Sequence, residues 1–151
     1  MNYKCRHCNQ ILNHEVIDLG HQPPSNAYLK KSDLHKSETF YPLKVYLCTN
    51  CWLVQIPEYT SAKELFTFDY AYFSSTSTFW CSHAKKYVDS TVEKLGLNEK
   101  SQVVELASND GYLLQYFQKF NIPCIGIEPT HETALAARKK NIKTIEEFFG
   151  K

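Results

Sequence analysis

Two cysteine pairs constrain this chain more than any other feature of its sequence. Cys5 and Cys8 form one Cys-x-x-Cys pair, and Cys48 and Cys51 form a second. A tight turn over two intervening residues lets both thiolates of a pair bind one metal ion, and two pairs complete the four ligands of tetrahedral Zn²⁺. The spacing therefore predicts a closed site of four thiolates with zinc in a structural role, which would stabilise a module too small for a large core.

The cysteines alone leave other interpretations open. They could be four unrelated buried thiols, His7 could replace one ligand, and iron can occupy a site of four thiolates. A redox dithiol would need one pair to open a helix in a thioredoxin-like unit, and the sequence shows no such unit. A disulfide framework would need a secretory signal, and none is visible before Cys5.

Composition narrows the classes of partner. The 151 residues contain 17 Lys and Arg against 16 Asp and Glu, a net charge of +1. A nucleic-acid-binding zinc ribbon would need basic residues around the cysteines, and only Lys4, Arg6 and Lys44 lie close to them in sequence. The apolar runs are too short to span a bilayer. We therefore expect a cytoplasmic protein that binds neither nucleic acid nor membrane.

The pattern of apolar residues predicts three regions: a zinc-binding domain over 1–62, a linker with an amphipathic helix over 63–98, and an α/β region over 99–151. Strand-like residues over 43–56 predict a hairpin with the second cysteine pair at its tip. Ser77 or Thr78 could cap a helix that ends at Gly96. Its predicted apolar face comprises Phe79, Trp80, His83, Tyr87, Val88, Val92 and Leu95.

Strands and helices alternate after Gly96. Strands are predicted over 102–107, 123–127 and 141–145, and helices over 112–120 and 131–140. This order is typical of a parallel α/β sheet with right-handed crossovers. Three strands do not complete a doubly wound sheet, so the predicted fold is an α+β zinc-binding domain followed by an incomplete, truncated Rossmann-like half-domain. Its unpaired sheet edge favours self-association.

The first of these strands ends in a turn that could bind a nucleoside. Only Gly111 stands where a dinucleotide fingerprint has three glycines, so the turn alone is a weak signal. Glu128 ends the second strand, where an acidic side chain can accept hydrogen bonds from both ribose hydroxyls. An ordinary tight turn and a surface glutamate would give the same spacing.

Together these motifs resemble the N-terminal part of the sugar C-methyltransferases, which use S-adenosylmethionine to methylate C-3 of nucleotide-linked 4-keto-deoxysugars. The resemblance covers essentially the whole chain. It rests on the paired cysteines and on the segments LGHQPPSNA (19–27), YAYFSSTS (70–77), VVELASNDGYLL (103–114) and GIEP (126–129). It implies a zinc domain, a class I methyltransferase core and a further C-terminal domain.

The resemblance also implies which residues form half of the S-adenosylmethionine site. Glu128 would bind the ribose hydroxyls, and Pro129 would border the adenine. Ala107 stands where many methyltransferases have glycine, and its methyl group is small enough to be tolerated. The residues implied on the methionine and ribose side are Glu105, Ala107, Asn109, Asp110 and Gly111.

The segment 70–77 is implied to reach the active site. Tyr72 is the candidate catalytic tyrosine, and Tyr70, Ser74 and Ser75 are candidate substrate-binding residues. Alternatively, these aromatic residues simply pack between the two regions. His83 is expected to be a packed residue rather than a base.

The implied reaction removes the proton beside the 4-keto group, and the enolate attacks the sulfonium methyl group. The histidine and glutamate that perform this in the family lie beyond the second half of the sheet, and neither His131 nor Glu132 matches them. We therefore expect a fragment of such an enzyme, whose full-length form binds a nucleotide-linked sugar. The alternative is a stand-alone structural zinc-binding module without catalytic activity.

Overall fold

The computed structural model describes residues 3–150 as a mixed α/β structure. Residue 1, where the predicted zinc-binding domain begins, and residue 151, where the predicted α/β region ends, lie outside the described residues. The chain divides into two compact units, of which the first ends at Leu65 and the second begins at Phe66. The region predicted as a linker with a helix is thus divided near its start. None of the helices in the described range is long and apolar enough to cross a membrane.

An antiparallel sheet forms the first unit. Its described strands lie in the order β1 (His14–Gln22), β2 (Tyr41–Leu47) and β3 (Val54–Gln55). The cysteine pair at 48–51 lies in the turn between β2 and β3, which confirms the predicted hairpin. The short helix α1 (Ala62–Leu65) ends the unit.

Strand β1 was not predicted from the sequence. Its nine residues are all exposed, so burial imposes no alternation of apolar and polar side chains on it. Its pairing with β2 also shifts register twice, and Gly20 adopts a left-handed φ of 76° beside the second shift. The strand is thus specified by its hydrogen bonds to β2 rather than by a hydrophobic pattern.

The second unit contains a parallel sheet in the order β4 (Val103–Leu106), β5 (Cys124–Ile127) and β6 (Lys143–Ile145). Helix α3 (Leu114–Phe117) and a 3-10 turn over Gln118–Phe120 connect the first two strands. Helix α4 (His131–Lys139) connects β5 to β6. The predicted alternation of strands and helices is confirmed, although the helix predicted over 112–120 is α-helical only in its centre.

Helix α2 (Thr78–Leu95) begins and ends where its cap residues predict. The Ser77 side chain accepts a hydrogen bond from the N–H of Trp80, and Gly96 adopts a left-handed φ of 62°. The predicted apolar face is wrong in part, because Phe79 is 82% exposed and Tyr87 is 55% exposed. The buried stripe includes the predicted Val88 and Val92, and it adds Ala84, which was not predicted.

The core of the second unit lies between the helices and the sheet. Leu114 and Phe117, both in the predicted helix, are buried there. Its buried members are Val88, Leu114, Phe117, Ile122, Ala137 and Ile142. The first unit has a much smaller core, in which Leu12 packs with Cys5 and Cys48.

Candidate metal centre and ligand cleft

Both cysteine pairs use the same turn. The N–H of Asn9 donates to the carbonyl of Cys5 at 2.9 Å, and the N–H of Trp52 donates to the carbonyl of Cys48 at the same distance. Each turn closes with a second hydrogen bond from the first cysteine N–H, to Gln10 in one pair and to Leu53 in the other. Asn9 and Trp52 adopt left-handed φ values of 60° and 63°. The two pairs are therefore equivalent local structures.

The two turns bring the four sulfur atoms together. All four Sγ atoms lie within 4.8 Å of one another. The Sγ atoms of Cys5 and Cys51 are 3.6 Å apart, and those of Cys8 and Cys48 are 3.5 Å apart. Tetrahedral zinc with Zn–S bonds of about 2.3 Å places its sulfur ligands about 3.8 Å apart. The four cysteines thus fit one zinc ion, which they would enclose without an open position for catalysis.

Neighbouring groups lower the pKa of the Cys5 and Cys8 thiols, whereas burial and the other sulfur atoms raise the pKa of Cys51. The Gln55 amide donates to Cys5 Sγ at 3.2 Å and accepts a hydrogen bond from the N–H of Arg6 at 3.0 Å. This hydrogen bond is the main cause that lowers the pKa of Cys5 to about 6. A thiolate stabilised in this way is a better metal ligand. The described cluster consists of cysteines alone, and His7 lies outside it.

A cleft of about 430 Å³ opens in the second unit, beside the carboxyl ends of its three strands. Ligands of open α/β sheets bind in this position. Leu106 and Ala107 line it after β4, Ile127 and Glu128 at β5, and Phe148 after β6. The other lining residues are Phe66, Tyr70, Tyr72, Ser74, Asn109, Tyr112, Pro129, Glu147 and Phe149.

Most of the residues singled out in the sequence meet at this cleft. Those that line it are Ala107, Asn109, Glu128, Pro129, Tyr70, Tyr72 and Ser74. Among the described residues, Glu105, Asp110, Gly111 and Ser75 lie outside the lining. Phe148 and Phe149 were not predicted to line a ligand site. Two adjacent aromatic residues shortly after the predicted third strand could have indicated this position. Phe66 and Tyr112 were also missed.

The loop after β4 requires an unusual backbone. Ala107, Asn109 and Gly111 adopt left-handed φ values of 56°, 50° and 73°. Ser108 packs against Gly126 on the neighbouring strand, where an added Cβ would lie only 2.3 Å from Ser108 Oγ. Glycine at this position of β5 therefore allows the loop to approach the sheet.

The Glu128 carboxylate joins the loops after β4 and β5. Its side chain is 5% exposed. Oε2 accepts the N–H of Asn109 at 2.8 Å, and Oε1 accepts the N–H of Thr130 at 2.9 Å together with its hydroxyl. Thr130 is the N-cap residue of α4. Glu128 thus positions the backbone of both loops as well as lining the cleft.

Asp110 is 1% exposed and connects three parts of the second unit. Its Oδ2 accepts hydrogen bonds from the N–H of Ser75 at 3.2 Å and from the Ser75 hydroxyl. The Lys140 ammonium lies 3.4 Å from the same oxygen and donates to the Asp110 carbonyl at 2.8 Å. These contacts explain why Asp110 lies behind the cleft rather than in its lining.

Glu105 differs from the other two carboxyl groups. Burial is the main cause that raises its pKa to about 8, and the negative charges of Asp110 and Glu128 raise it further. Its Oε2 is buried without a hydrogen-bond partner among the described residues. Glu105 is therefore mostly protonated at neutral pH.

Comparison with known proteins relates the chain to a zinc-binding domain and to a methyltransferase. Residues 5–66 match the family model Methyltransf_13, "Putative zinc binding domain". Over 146 residues the chain is 31% identical to the C-methyltransferase NovU of Streptomyces niveus. This similarity relates the chain to a methyltransferase. It supports the relationship that the motifs predicted, and the family match together with the four-cysteine cluster supports zinc binding.

The alignment with NovU covers 97% of this chain and 34% of NovU. The chain therefore spans about a third of the length of this relative. A solved structure, "Crystal structure of MccD protein", is similar over 48% of this chain and 33% of its own, at 17% identity and a TM-score of 0.36. A TM-score of this size does not establish a shared fold.

Proposed function

We propose that this chain is part of a C-methyltransferase that transfers the methyl group of S-adenosylmethionine to C-3 of a nucleotide-linked 4-keto-deoxysugar by enolate attack. The four cysteines bind a structural zinc ion, and the cleft of the second unit binds the methyl donor. The observation that carries this proposal is the cleft at the carboxyl ends of β4 and β5, with Glu128 in its lining, in a chain similar to NovU.

The order of the strands supports a Rossmann-like half-domain of the class I methyltransferase type. Strands β4, β5 and β6 are parallel and follow one another across the sheet. One half of a doubly wound sheet has this arrangement, and its nucleoside binds beside the first two strands. We assign the zinc-binding domain to 1–62, the linker with α2 to 63–98 and the start of the methyltransferase domain to 99–151.

The chemistry of the lining favours a positively charged ligand. Glu128 and Glu147 are the charged residues among the described lining side chains, and neither Lys nor Arg lies among them. Aromatic faces and carboxylates attract a cation, whereas the two carboxylates repel a diphosphate. The cleft therefore suits the sulfonium donor, and the nucleotide of the sugar binds elsewhere in the full-length enzyme. When bound, S-adenosylmethionine supplies an electrophilic methyl group.

We assign roles to the lining residues on this basis. Ala107 and the main chain of Asn109 border the methionine and ribose side. Glu128 accepts from the ribose hydroxyls with its remaining lone pairs, and Pro129 borders the adenine. Tyr72 faces the reacting groups, with Tyr70 and Ser74 toward the sugar. Residues outside this chain supply the base. Glu105, Asp110, Gly111 and Ser75 shape the loop from behind.

Binding of the donor tests this proposal against the alternative of a zinc module without catalytic activity. The measurement is isothermal titration of the full-length protein with S-adenosylmethionine. Phe149→Ala should weaken binding roughly tenfold, because it removes an aromatic contact from the cleft. Phe79→Ala is the matched control, since Phe79 is exposed on α2 and lies outside the lining. Absence of binding, or equal losses in both variants, would contradict the proposal.

A further inference from the structure

The side chain of Asn109 is bonded to the main chain of a distant segment. Asn109 is 9% exposed. Its Oδ1 accepts the N–H of Ser74 at 2.9 Å, and its Nδ2 donates to the carbonyl of Tyr72 at 3.0 Å. Both partners are backbone groups, one on each side of Phe73. The Asn109 amide therefore binds the backbone of residues 72–74, and these two hydrogen bonds do not involve the side chains of those residues.

The backbone of Phe73 explains why one amide reaches both groups. Phe73 is extended, with φ −113° and ψ 114°. In an extended chain the carbonyl of one residue and the N–H two residues later point to the same side, and a neighbouring strand would pair with both. The Asn109 side chain offers one donor and one acceptor, so it replaces that strand.

Asn109 is itself fixed from the other side. Its N–H donates to the buried carboxylate of Glu128, and its backbone adopts a left-handed φ of 50°. The next residue, Asp110, binds the N–H and hydroxyl of Ser75. Two consecutive loop residues therefore fix the backbone of the segment from Tyr72 to Ser75.

We propose that Asn109 is a positioning residue that places Tyr72 against the cleft through the backbone on both sides of Phe73. This inference rests on the proposed donor site, because Tyr72 matters to the ligand only if the cleft binds one. The Tyr72 side chain is 50% exposed, so its place depends more on the backbone than on packing. Asn109 acts on the bound ligand through Tyr72, and its amide is engaged by protein atoms.

Hydrogen exchange of the full-length protein tests the first half of this inference without any ligand. Asn109→Gly removes the amide and keeps a residue that tolerates the left-handed φ. Asn121→Gly is the matched control, because Asn121 has a φ of 54° and an exposed side chain away from the cleft. We expect the amide of Ser74 to exchange at least roughly tenfold faster in Asn109→Gly and unchanged in the control. Unchanged exchange at Ser74 would overturn the inference.

A second variant covers the case in which Asn109→Gly does not fold. Asn109→Asp retains the acceptor for Ser74 and places an oxygen against the carbonyl of Tyr72. Faster exchange at Ser74 is expected here too, since one of the two contacts becomes repulsive. Exchange at the wild-type rate in this variant would contradict the inference in the same way.

A double-mutant cycle on S-adenosylmethionine affinity tests the second half. If Asn109 acts through Tyr72, Asn109→Gly combined with Tyr72→Ala should bind no more weakly than Tyr72→Ala alone. Additive losses would mean that Asn109 contacts the donor directly and would overturn the inference. If the wild-type protein binds no donor, the proposed function fails, and the exchange rates still decide whether Asn109 fixes the segment.

Discussion

Three carboxyl groups determine the electrostatics of the second unit at the scale of single residues. Asp110 and Glu128 each accept hydrogen bonds from neighbouring groups, and both Asp110 Oδ1 and Glu105 Oε2 are buried without a partner among the described residues. Burial and the two neighbouring charges raise the pKa of Glu105 to about 8. The sequence could not predict this raised pKa, because it shows three acidic residues near strand ends and not how deeply each is buried.

This raised pKa makes the stability of the chain depend on pH. Between the usual glutamate pKa of 4.5 and the folded value of about 8, the native state retains a proton that the unfolded state has released. The free energy of unfolding therefore falls as pH rises through this range, by at most about 1.4 kcal/mol per pH unit from this group. Glu105→Gln removes the dependence.

Urea unfolding of both proteins at about pH 5 and pH 8 measures this effect. We expect the stability of Glu105→Gln relative to wild type to increase from the lower to the higher pH. If the difference in free energy of unfolding between the two proteins is the same at both pH values, the pKa of Glu105 is not raised in the folded state.

At the scale of helices and strands, the ends of an element were easier to predict from the sequence than the side that it buries. Ser77 and Gly96 predicted both ends of α2, because capping depends on nearby backbone groups alone. The buried face of that helix was predicted correctly at Val88 and Val92 but not at its aromatic positions, since only tertiary packing selects the buried side. Strand alternation likewise leaves open whether Glu105 or Leu106 faces the cleft.

Two neighbouring residues of α2 test the observed face. Val88 is fully buried in the core, whereas Tyr87 is 55% exposed. Val88→Ala should lower the free energy of unfolding by about 2 kcal/mol, and Tyr87→Ala should change it by less than about 0.5 kcal/mol. Chemical denaturation of both variants measures this, and a larger loss in Tyr87→Ala would contradict the packing.

The cysteine turns were the most predictable element of the chain. Ligand spacing is a local property, so Cys-x-x-Cys pairs specify their turns without help from the rest of the fold. Cys48→Ser should therefore remove zinc and unfold the first unit, because a structural zinc ion contributes on the order of 10–16 kcal/mol of apparent stability.

Mass spectrometry measures the zinc content, and circular dichroism measures the loss of folded structure. Cys81→Ser is the matched control, since Cys81 lies in the second unit outside the four-cysteine cluster and should leave the metal bound. A folded Cys48→Ser variant that retains zinc would contradict the four-thiolate site.

At the scale of the whole molecule, the two units are stabilised differently. The first has few buried apolar residues besides the metal ligands, and the second has an apolar core beneath a short parallel sheet. In the described part of the chain β4 pairs on one side only, and Val104 on it is 52% exposed. The alternation of strands and helices was predictable from the sequence, whereas the strand order and the convergence of three loops on one cleft required the structure.

Self-association of the chain through the edge strand β4 stays a prediction. Residues 1–151 should sediment with a weight that increases with concentration, because an unpaired strand offers backbone donors and acceptors to a second copy. Val104→Lys should reduce the association. A constant monomer weight for the unsubstituted chain would contradict it.

The proposed function combines a zinc-binding unit with the donor half of a methyltransferase site in one chain. A crystal structure of the full-length protein with S-adenosylhomocysteine would decide whether both sites exist. We expect the nucleoside in the cleft, with its ribose hydroxyls within hydrogen-bond distance of Glu128 and its adenine beside Pro129, and zinc bound by the four cysteines. A nucleoside bound at another place, with this cleft empty, would refute the proposed function.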